Sequence, residues 1–337
     1  MIQEAIKTIV KGSELPFETA RESMGEIMSG KASEAQIGAF LAALSLKGET
    51  VGEITGFARA MRDACVPVSH EGEVFEIVGT GGDGADTFNI STTSGFVIAS
   101  GGVAVAKHGN RSVSSRCGAA DCLEALGVNL ALTGKENTEL LKKAGMCFMF
   151  APVYHSSMKY AAPVRKALGF RTVFNILGPL GNPAGATMQL MGVYEEKLVE
   201  PMAKVLSNLG VKRGAVVYGM DGLDEITACD RTLVCEFKNG LFQKYLLDPR
   251  DYGIKLAHPG DLKGGDSREN AEITRTVLSG EKGPKRNAVL LNAAMSFHLA
   301  EGMPLAESIQ KAADLIDSGK ALAFMERFIR LSREAAQ

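Results

Sequence analysis

The sequence predicts an α/β fold, with a small helical unit at the N-terminus followed by a large unit built on a mainly parallel central sheet. Three observations lead there. Residues 1–65 carry apolar side chains at helical spacing with helix-start signals, short β-rich runs alternate with helical ones from residue 73, and the first such run leads straight into a glycine-rich turn. Alternation at this spacing gives a parallel sheet covered by helices on both faces, and such sheets bind ligands beyond the carboxyl ends of their strands.

A chain of 337 residues accommodates one large domain or two unequal ones. Its 45% hydrophobic and 23% charged residues match a globular protein with a sizeable core. With Lys+Arg 37 against Asp+Glu 39 the net charge is -2, which excludes a global positive field for nucleic acid or an anionic membrane. Any anion has to be held locally. No apolar run reaches the ~18 residues of a spanning helix. Six cysteines with no C-x-x-C pair, and no secretory leader ahead of them, predict reduced thiols and a cytoplasmic protein.

In the helical unit, Ile2, Ile6 and Ile9 mark a first helix and Pro16 suits the opening turn of a second. Ser33 with Gln36, and Thr50 with Glu53, are capping-box signatures for a third and fourth. The third places Ile37, Phe40, Leu41 and Leu44 on one stripe. Four helices this short enclose little core of their own, so the unit is expected to pack on another domain or subunit, with a dimer contact there.

In the second unit, strands are expected at 74–78, 103–106, 147–150, 189–194 and 215–219, with helices at 92–100, 119–126, 136–144, 158–168 and 196–209. The run TLVCEFKNGLFQKYLL alternates around Asn239-Gly240 and reads as a β-hairpin. Residues from about 267 to 335 are helical, rich in Ala and Leu.

Three turns at strand carboxyl ends carry candidate chemistry. The first strand runs into Gly79-Thr80-Gly81-Gly82-Asp83-Gly84, followed by Thr87, Asn89, Ser91, Thr92 and Thr93 at a helix start. Glycines bring backbone N–H groups close to a ligand, and the helix start adds partial positive charge, which makes an anion cradle. It is neither a Walker A loop nor a Rossmann fingerprint. The second turn, Lys107-His108-Gly109-Asn110-Arg111-Ser112-Val113-Ser114-Ser115, supplies cations, an amide and hydroxyls suited to a pyrophosphate. His108 is either a base or a packing residue. The third, Asp221-Gly222-Leu223-Asp224-Glu225, offers Asp224 and Glu225 as oxygen ligands for Mg²⁺. Alone, each turn also fits a plain tight turn, a solvated face or surface acids. Three with matching chemistry favour a phosphorylated substrate.

These residues also resemble a known family. GTGGDG with TFNIST, then KHGNRSVSSRCGAADCLEALGV, HSSMKYAAPVRKALGFRTVFNILGPLGNPA and DGLDEIT, are closely similar to the anthranilate phosphoribosyltransferases, in the same order and across nearly the whole chain. That family transfers phosphoribose from phosphoribosyl pyrophosphate (PRPP) to the amine of anthranilate, releasing pyrophosphate, in tryptophan biosynthesis. The resemblance implies a nucleoside phosphorylase/phosphoribosyltransferase-like fold, divided into a helical domain over 1–68, joined by a helical segment near 158–185, and a catalytic domain over 69–337. It implies a homodimer through the helical part.

On matching positions, the resemblance implies that Gly79, Thr80, Gly82, Asp83, Thr87, Asn89, Ile90, Ser91 and Thr92 hold PRPP. Lys107, His108, Gly109, Asn110, Arg111, Ser112, Val113, Ser114, Ser115 and Ala119 do the same from the second turn. Two Mg²⁺ ions are implied, with Ser91 and Asp224 each on one and Glu225 on both. Asn110 and Arg165 match anthranilate-binding positions, and His108, His155 and Pro179 match the lining of the acceptor's access channel. Lys107, Asn110 and Arg165 are the residues expected to carry catalysis. Four positions depart from the usual pattern: Ser156-Ser157 after His155 in place of Pro-Ala, Asn287 after Arg286 in place of an acid, and Ala119 in place of Ser. None is a metal candidate or a member of the glycine turn. A nucleoside phosphorylase is the rival enzyme and a nucleic-acid-binding relative the rival of another class. The DGLDE acids disfavour the first and the near-neutral charge the second.

Overall fold

The structure is a computed structural model that describes residues 1–112 and 116–335. The helical unit holds α1 (Ile2–Ile9), α2 (Phe17–Met28), α3 (Glu34–Lys47) and α4 (Val51–Asp63). Both capping boxes are formed, Ser33 with Gln36 and Thr50 with Glu53, each side chain satisfying the other residue's backbone N–H. Pro16 sits one residue earlier than expected, as the N-cap of α2, with extended backbone. Ile37, Phe40, Leu41 and Leu44 are all buried. Their cluster runs on without a break into Val164, Phe174, Met202, Leu206, Val216 and Phe237 of the second unit. The four helices therefore bury their apolar stripe against the α/β unit, as their length requires.

The remaining elements are β1 (Phe75–Gly79), α5 (Ile90–Ser100), β2 (Val105–Gly109), α6 (Ala119–Leu126), α7 (Gly134–Ala144), β3 (Met146–Phe150), α8 (Ala151–Tyr154), α9 (Ala162–Leu168), α10 (Phe174–Leu177), β4 (Met188–Gly192), α11 (Val199–Asn208), β5 (Arg213–Gly219), β6 (Thr232–Lys238), β7 (Leu241–Leu247), α12 (Ser267–Leu278), α13 (Pro284–Glu301), α14 (Leu305–Asp317) and α15 (Lys320–Glu334). The sheet order is β3-β2-β1-β4-β5-β6-β7. Strands β1 to β5 are parallel, while β6 and β7 add an antiparallel edge. That edge is the expected hairpin, and Asn239 (φ 51) and Gly240 (φ 80) both have the positive φ of a type I′ turn.

Several boundaries differ from expectation. The strand expected at 103–106 occupies Val105–Gly109, because all five residues pair in register with Met146–Phe150. Lys107 and His108 are thus strand residues rather than loop residues. The helix expected over 158–168 is two elements, a 3₁₀ turn at Ser156–Tyr160 and then α9 with Pro163 in its first turn, where the missing N–H is harmless. The run 189–194 ends as a strand at Gly192, and 196–209 opens as a 3₁₀ turn before α11. Helices expected from 92 and 136 begin two residues earlier, at Ile90 and Gly134.

The order of strands positions the site. From β1 the chain crosses to β2 on one side, whereas β4 flanks β1 on the other, so the switch point lies between β1 and β4. Their carboxyl ends are level, with Gly79 paired to Gly192. One face of the sheet is covered by α5 and α13, and α15 packs on α5 with Phe96 and Phe328 edge-to-face at 5.9 Å. On the other face α11 packs against β5 and β6, and the helical unit packs on α11 through α4.

Candidate active site

The crevice beyond β1 and β4 is closed from above by the third turn. Asp224 Oδ2 accepts from Gly81 N at 2.6 Å and from Thr80 Oγ1 at 3.5 Å, and Asp224 N donates to Asp83 Oδ2 at 3.4 Å. This approach needs two glycines. A Cβ on Gly79 would lie 2.9 Å from the Asp224 carboxyl carbon, and one on Gly192 would fall on the Asp224 carbonyl. The far limb of the glycine turn is pinned by the segment before α12: Thr87 bridges Lys263, and Phe88 N donates to Leu262 O at 2.9 Å.

The start of α5 presents the second set of donors. Ser91 N donates to Glu225 Oε1 at 3.1 Å. Lys107 reaches across from β2, donating from Nζ to Ile77 O at 2.7 Å and to Ser91 Oγ at 3.2 Å. At 1% exposure this ammonium is buried in the sheet's end. Burial lowers its pKa, while the charges of Glu225, Glu76 and Asp224 act to raise it. Asn89 ties the two turns together. Its Nδ2 donates to Cys117 O at 3.4 Å, and the Cys117 thiol donates to Asn89 Oδ1 at 3.3 Å. Ile90 and Thr92 are buried, and the Thr92 hydroxyl has no hydrogen-bond partner among the described residues.

The acids are under electrostatic pressure. Asp224 and Glu225 are each 8% exposed. Burial first, and then Asp83 and Glu225, push Asp224 well above the usual carboxylate range. Burial pushes Glu225 up to about 7 against the opposing pull of Lys107. Among the described residues no group of three or more His, Cys, Asp or Glu side chains forms a ready-made metal cage. Two adjacent acids nonetheless offer oxygen donors of the kind that a hard divalent cation takes while keeping several of its waters.

The second turn is only partly inside this convergence. Asn110 and Arg111 are exposed, Asn110 Oδ1 accepts from Arg111 N at 2.8 Å, and Arg111 is ion-paired with Asp121 and Glu124 at 2.9 and 2.8 Å. Ser112 N donates to Asp121 Oδ2, Gly109 is packed close to Ala119, and Ala119 opens α6. Val113, Ser114 and Ser115 lie outside the described residues.

The remaining predicted residues line the side facing the helical unit. His108 and His155 are buried with ring centroids 4.9 Å apart. Burial, reinforced by His155, lowers His108 to about 3, so it is a neutral imidazole. Pro179 is buried, its carbonyl accepting from Gln189 Nε2 at 2.8 Å. Arg165, half-buried on α9, stacks 5.1 Å from the Phe174 ring centroid. Among the described residues no acid pairs with it and no hydrogen bond joins its side chain to the three turns.

Three site residues are absent from the sequence reading. Gly192 has no local signature; only the paired strand ends reveal it. Arg171 donates to Gly82 O at 2.6 Å while stacking 4.1 Å over Tyr194. The GFRTVFN motif contains it, but nothing in that spacing points at the glycine turn. Asn270, whose Oδ1 accepts from Asn89 N at 3.1 Å, comes from α12, 181 residues away.

Comparison with known proteins matches both units. The helical bundle domain of the glycosyl transferase family matches residues 3–65, and the family's a/b domain matches residues 71–322. The anthranilate phosphoribosyltransferase of Ruminiclostridium cellulolyticum is 54% identical, over 100% of this chain and 99% of that one. That of Lachnoclostridium phytofermentans is 55% identical, over 98% and 99%. Among solved structures, the Thermus thermophilus enzyme superposes with a TM-score of 0.93 at 44% identity, covering 98% of this chain and 99% of that one. The Saccharomyces cerevisiae enzyme in complex with PRPP and Mg gives 0.91 at 28% identity, covering 99% and 98%.

Proposed function

The chain belongs to the anthranilate phosphoribosyltransferase family, and on that footing we propose how its residues carry out the reaction. It transfers the phosphoribosyl group of PRPP to the amine of anthranilate, giving N-(5-phosphoribosyl)anthranilate and pyrophosphate in tryptophan biosynthesis. The observation that carries the residue assignment is the meeting of the glycine turn, the start of α5, the DGLDE turn and the end of β2 at one switch point: Gly81 with Asp224, Ser91 with Glu225, and Lys107 with Ser91.

In this reading the glycine-turn amides, the start of α5 and Lys107 receive the pyrophosphate of PRPP, where fixed donors stabilise the charge that develops on the leaving group. Asp224, Glu225 and the Ser91 hydroxyl hold two magnesium ions, whose bound charge neutralises that same group. Arg165, with no acid partner among the described residues and braced by Phe174, takes the anthranilate carboxylate and sets the amine toward C1 of the ribose. The C1–O bond breaks with its electron pair leaving on pyrophosphate, the amine lone pair forms C1–N, and the surplus amine proton passes to water. An aromatic amine reacts as the neutral base, so no strong general base is required. His108, neutral at working pH, shapes the acceptor's channel with His155 and Pro179.

The helical unit exposes Leu46 (92%) and Val10 (71%), apolar side chains that a second copy would cover, which supports a homodimer formed there. Free thiols at Cys65, Cys122, Cys147, Cys229 and Cys235 suit the cytoplasm. No described helix is long and apolar enough to cross a membrane. The test of function is loss of anthranilate fluorescence on adding PRPP and magnesium, with matching pyrophosphate release. Phosphate-dependent cleavage of a nucleoside without that loss would replace the assignment by a phosphorylase.

A further inference from the structure

The two acids of the third turn are not idle before substrate arrives. Each accepts a hydrogen bond from a backbone amide of the crevice. Asp224 Oδ2 sits on the Gly81 amide at 2.6 Å, with the Thr80 hydroxyl at 3.5 Å. Glu225 Oε1 sits on the Ser91 amide at 3.1 Å, in the first turn of α5, where the helix presents its unsatisfied N–H groups. Gly81 and Ser91 stand on opposite limbs of the same turn, and both acids come from one dipeptide. The structure therefore shows carboxylate oxygens on two backbone amides that, on the proposed function, face the pyrophosphate.

We propose that Asp224 and Glu225 act as built-in stand-ins for the pyrophosphate, keeping its backbone donors occupied until a divalent cation draws the carboxylates away. The inference rests on the reading that this site takes PRPP with magnesium, and it adds an order to it. A diphosphate arriving alone meets donors already satisfied. A diphosphate arriving with the cation meets acids engaged by the metal and amides set free. The same two side chains thus serve as gate and as ligand, and binding of cation and diphosphate is coupled through the N–H groups of Gly81 and Ser91. The occupied donors also account for how two buried acids are tolerated, since each is hydrogen-bonded rather than bare.

The test separates donor occupancy from charge. Inorganic pyrophosphate is titrated calorimetrically into protein in excess chelator. Asp224→Asn removes the charge but leaves an oxygen for the Gly81 amide; Asp224→Ala removes both. The expected result is metal-free binding about tenfold tighter for Asp224→Ala than for Asp224→Asn, one hydrogen bond's worth. Glu225→Ala against Glu225→Gln repeats the comparison at the Ser91 amide, so one folded pair suffices. Equal affinities within the pairs, beside a wild type that needs magnesium, would overturn this inference and leave the PRPP reading intact. A wild type binding pyrophosphate equally with magnesium and with chelator would overturn both. Amide exchange on the unmodified protein gives a third check: Gly81 protected in chelator supports the proposal, and exchange at open-loop rates sinks it.

Discussion

Arg165 lies 5.1 Å from the centre of the Phe174 ring and has no carboxylate partner among the described residues. A half-buried guanidinium held by an aromatic face, with its hydrogen-bonding fork unspent, is suited to receive a planar anion, the role proposed for it. Arg165→Ala is expected to raise the anthranilate KM on the order of 10- to 100-fold, the loss of a charge-assisted pair worth about 1.5–3 kcal/mol, while the PRPP KM stays within about twofold. Steady-state kinetics with each substrate varied decides it; equal losses for both would remove Arg165 from the acceptor site.

Gly192→Ala tests the closure of the site. The added methyl would fall on the Asp224 carbonyl, with Glu225 N at 3.1 Å, so the DGLDE turn has to lift off β4. We expect a stability loss of about 1–3 kcal/mol and far weaker PRPP binding. Gly25→Ala is the control, in the middle of α2 with nothing within 4 Å of the new methyl. It should gain about 0.5–1 kcal/mol in thermal or urea unfolding and keep full activity.

His108 gives the pH dependence a defined sign. Its folded value of about 3 lies below the ordinary 6.5, chiefly through burial. Between those values the unfolded chain binds the proton and the native one does not, so this residue makes stability rise with pH from about 3 to 6.5 and flat above. Urea unfolding of wild type and His108→Asn across that window should show the variant with the shallower rise. A matching slope would mean that His108 is charged in the native state.

Arg171→Ala should raise the PRPP KM by about 3- to 10-fold, because Gly82 loses the guanidinium that holds its carbonyl and the glycine turn loosens. The side chain is half exposed, which keeps the effect modest. Arg171→Lys should recover part of the loss through its remaining charge, and an unchanged KM in both variants would leave the contact without functional weight.

Much of the site is legible in the chain because its parts follow strands. VFEIV leading into GTGGDG, and AVVYG leading into MDGLDE, place both turns at carboxyl ends wherever the strands lie in the sheet. The capping boxes at Ser33 and Thr50 are equally plain, since a helix start is settled within four residues. Lys107 reads locally as a loop residue, because what makes it a strand residue is its pairing with Phe148, 41 positions away. Arg111 reads as a free cation for phosphate, yet it is spent on Asp121 and Glu124, 10 and 13 residues further on, which α6 turns back toward it.

By itself the sequence determined the two-unit α/β plan, the glycine cradle, the acids and the cations, because periodicity, caps and turn chemistry act over a few residues. Only the tertiary structure decided that Gly192 must be bare, that Asp224 rests on Gly81, that Glu225 rests on Ser91 and that Arg171 steadies Gly82. Those contacts join residues 89 to 143 positions apart, or depend on which strands lie side by side. Strand order is set by how the whole core packs, and no local pattern in the chain contains it.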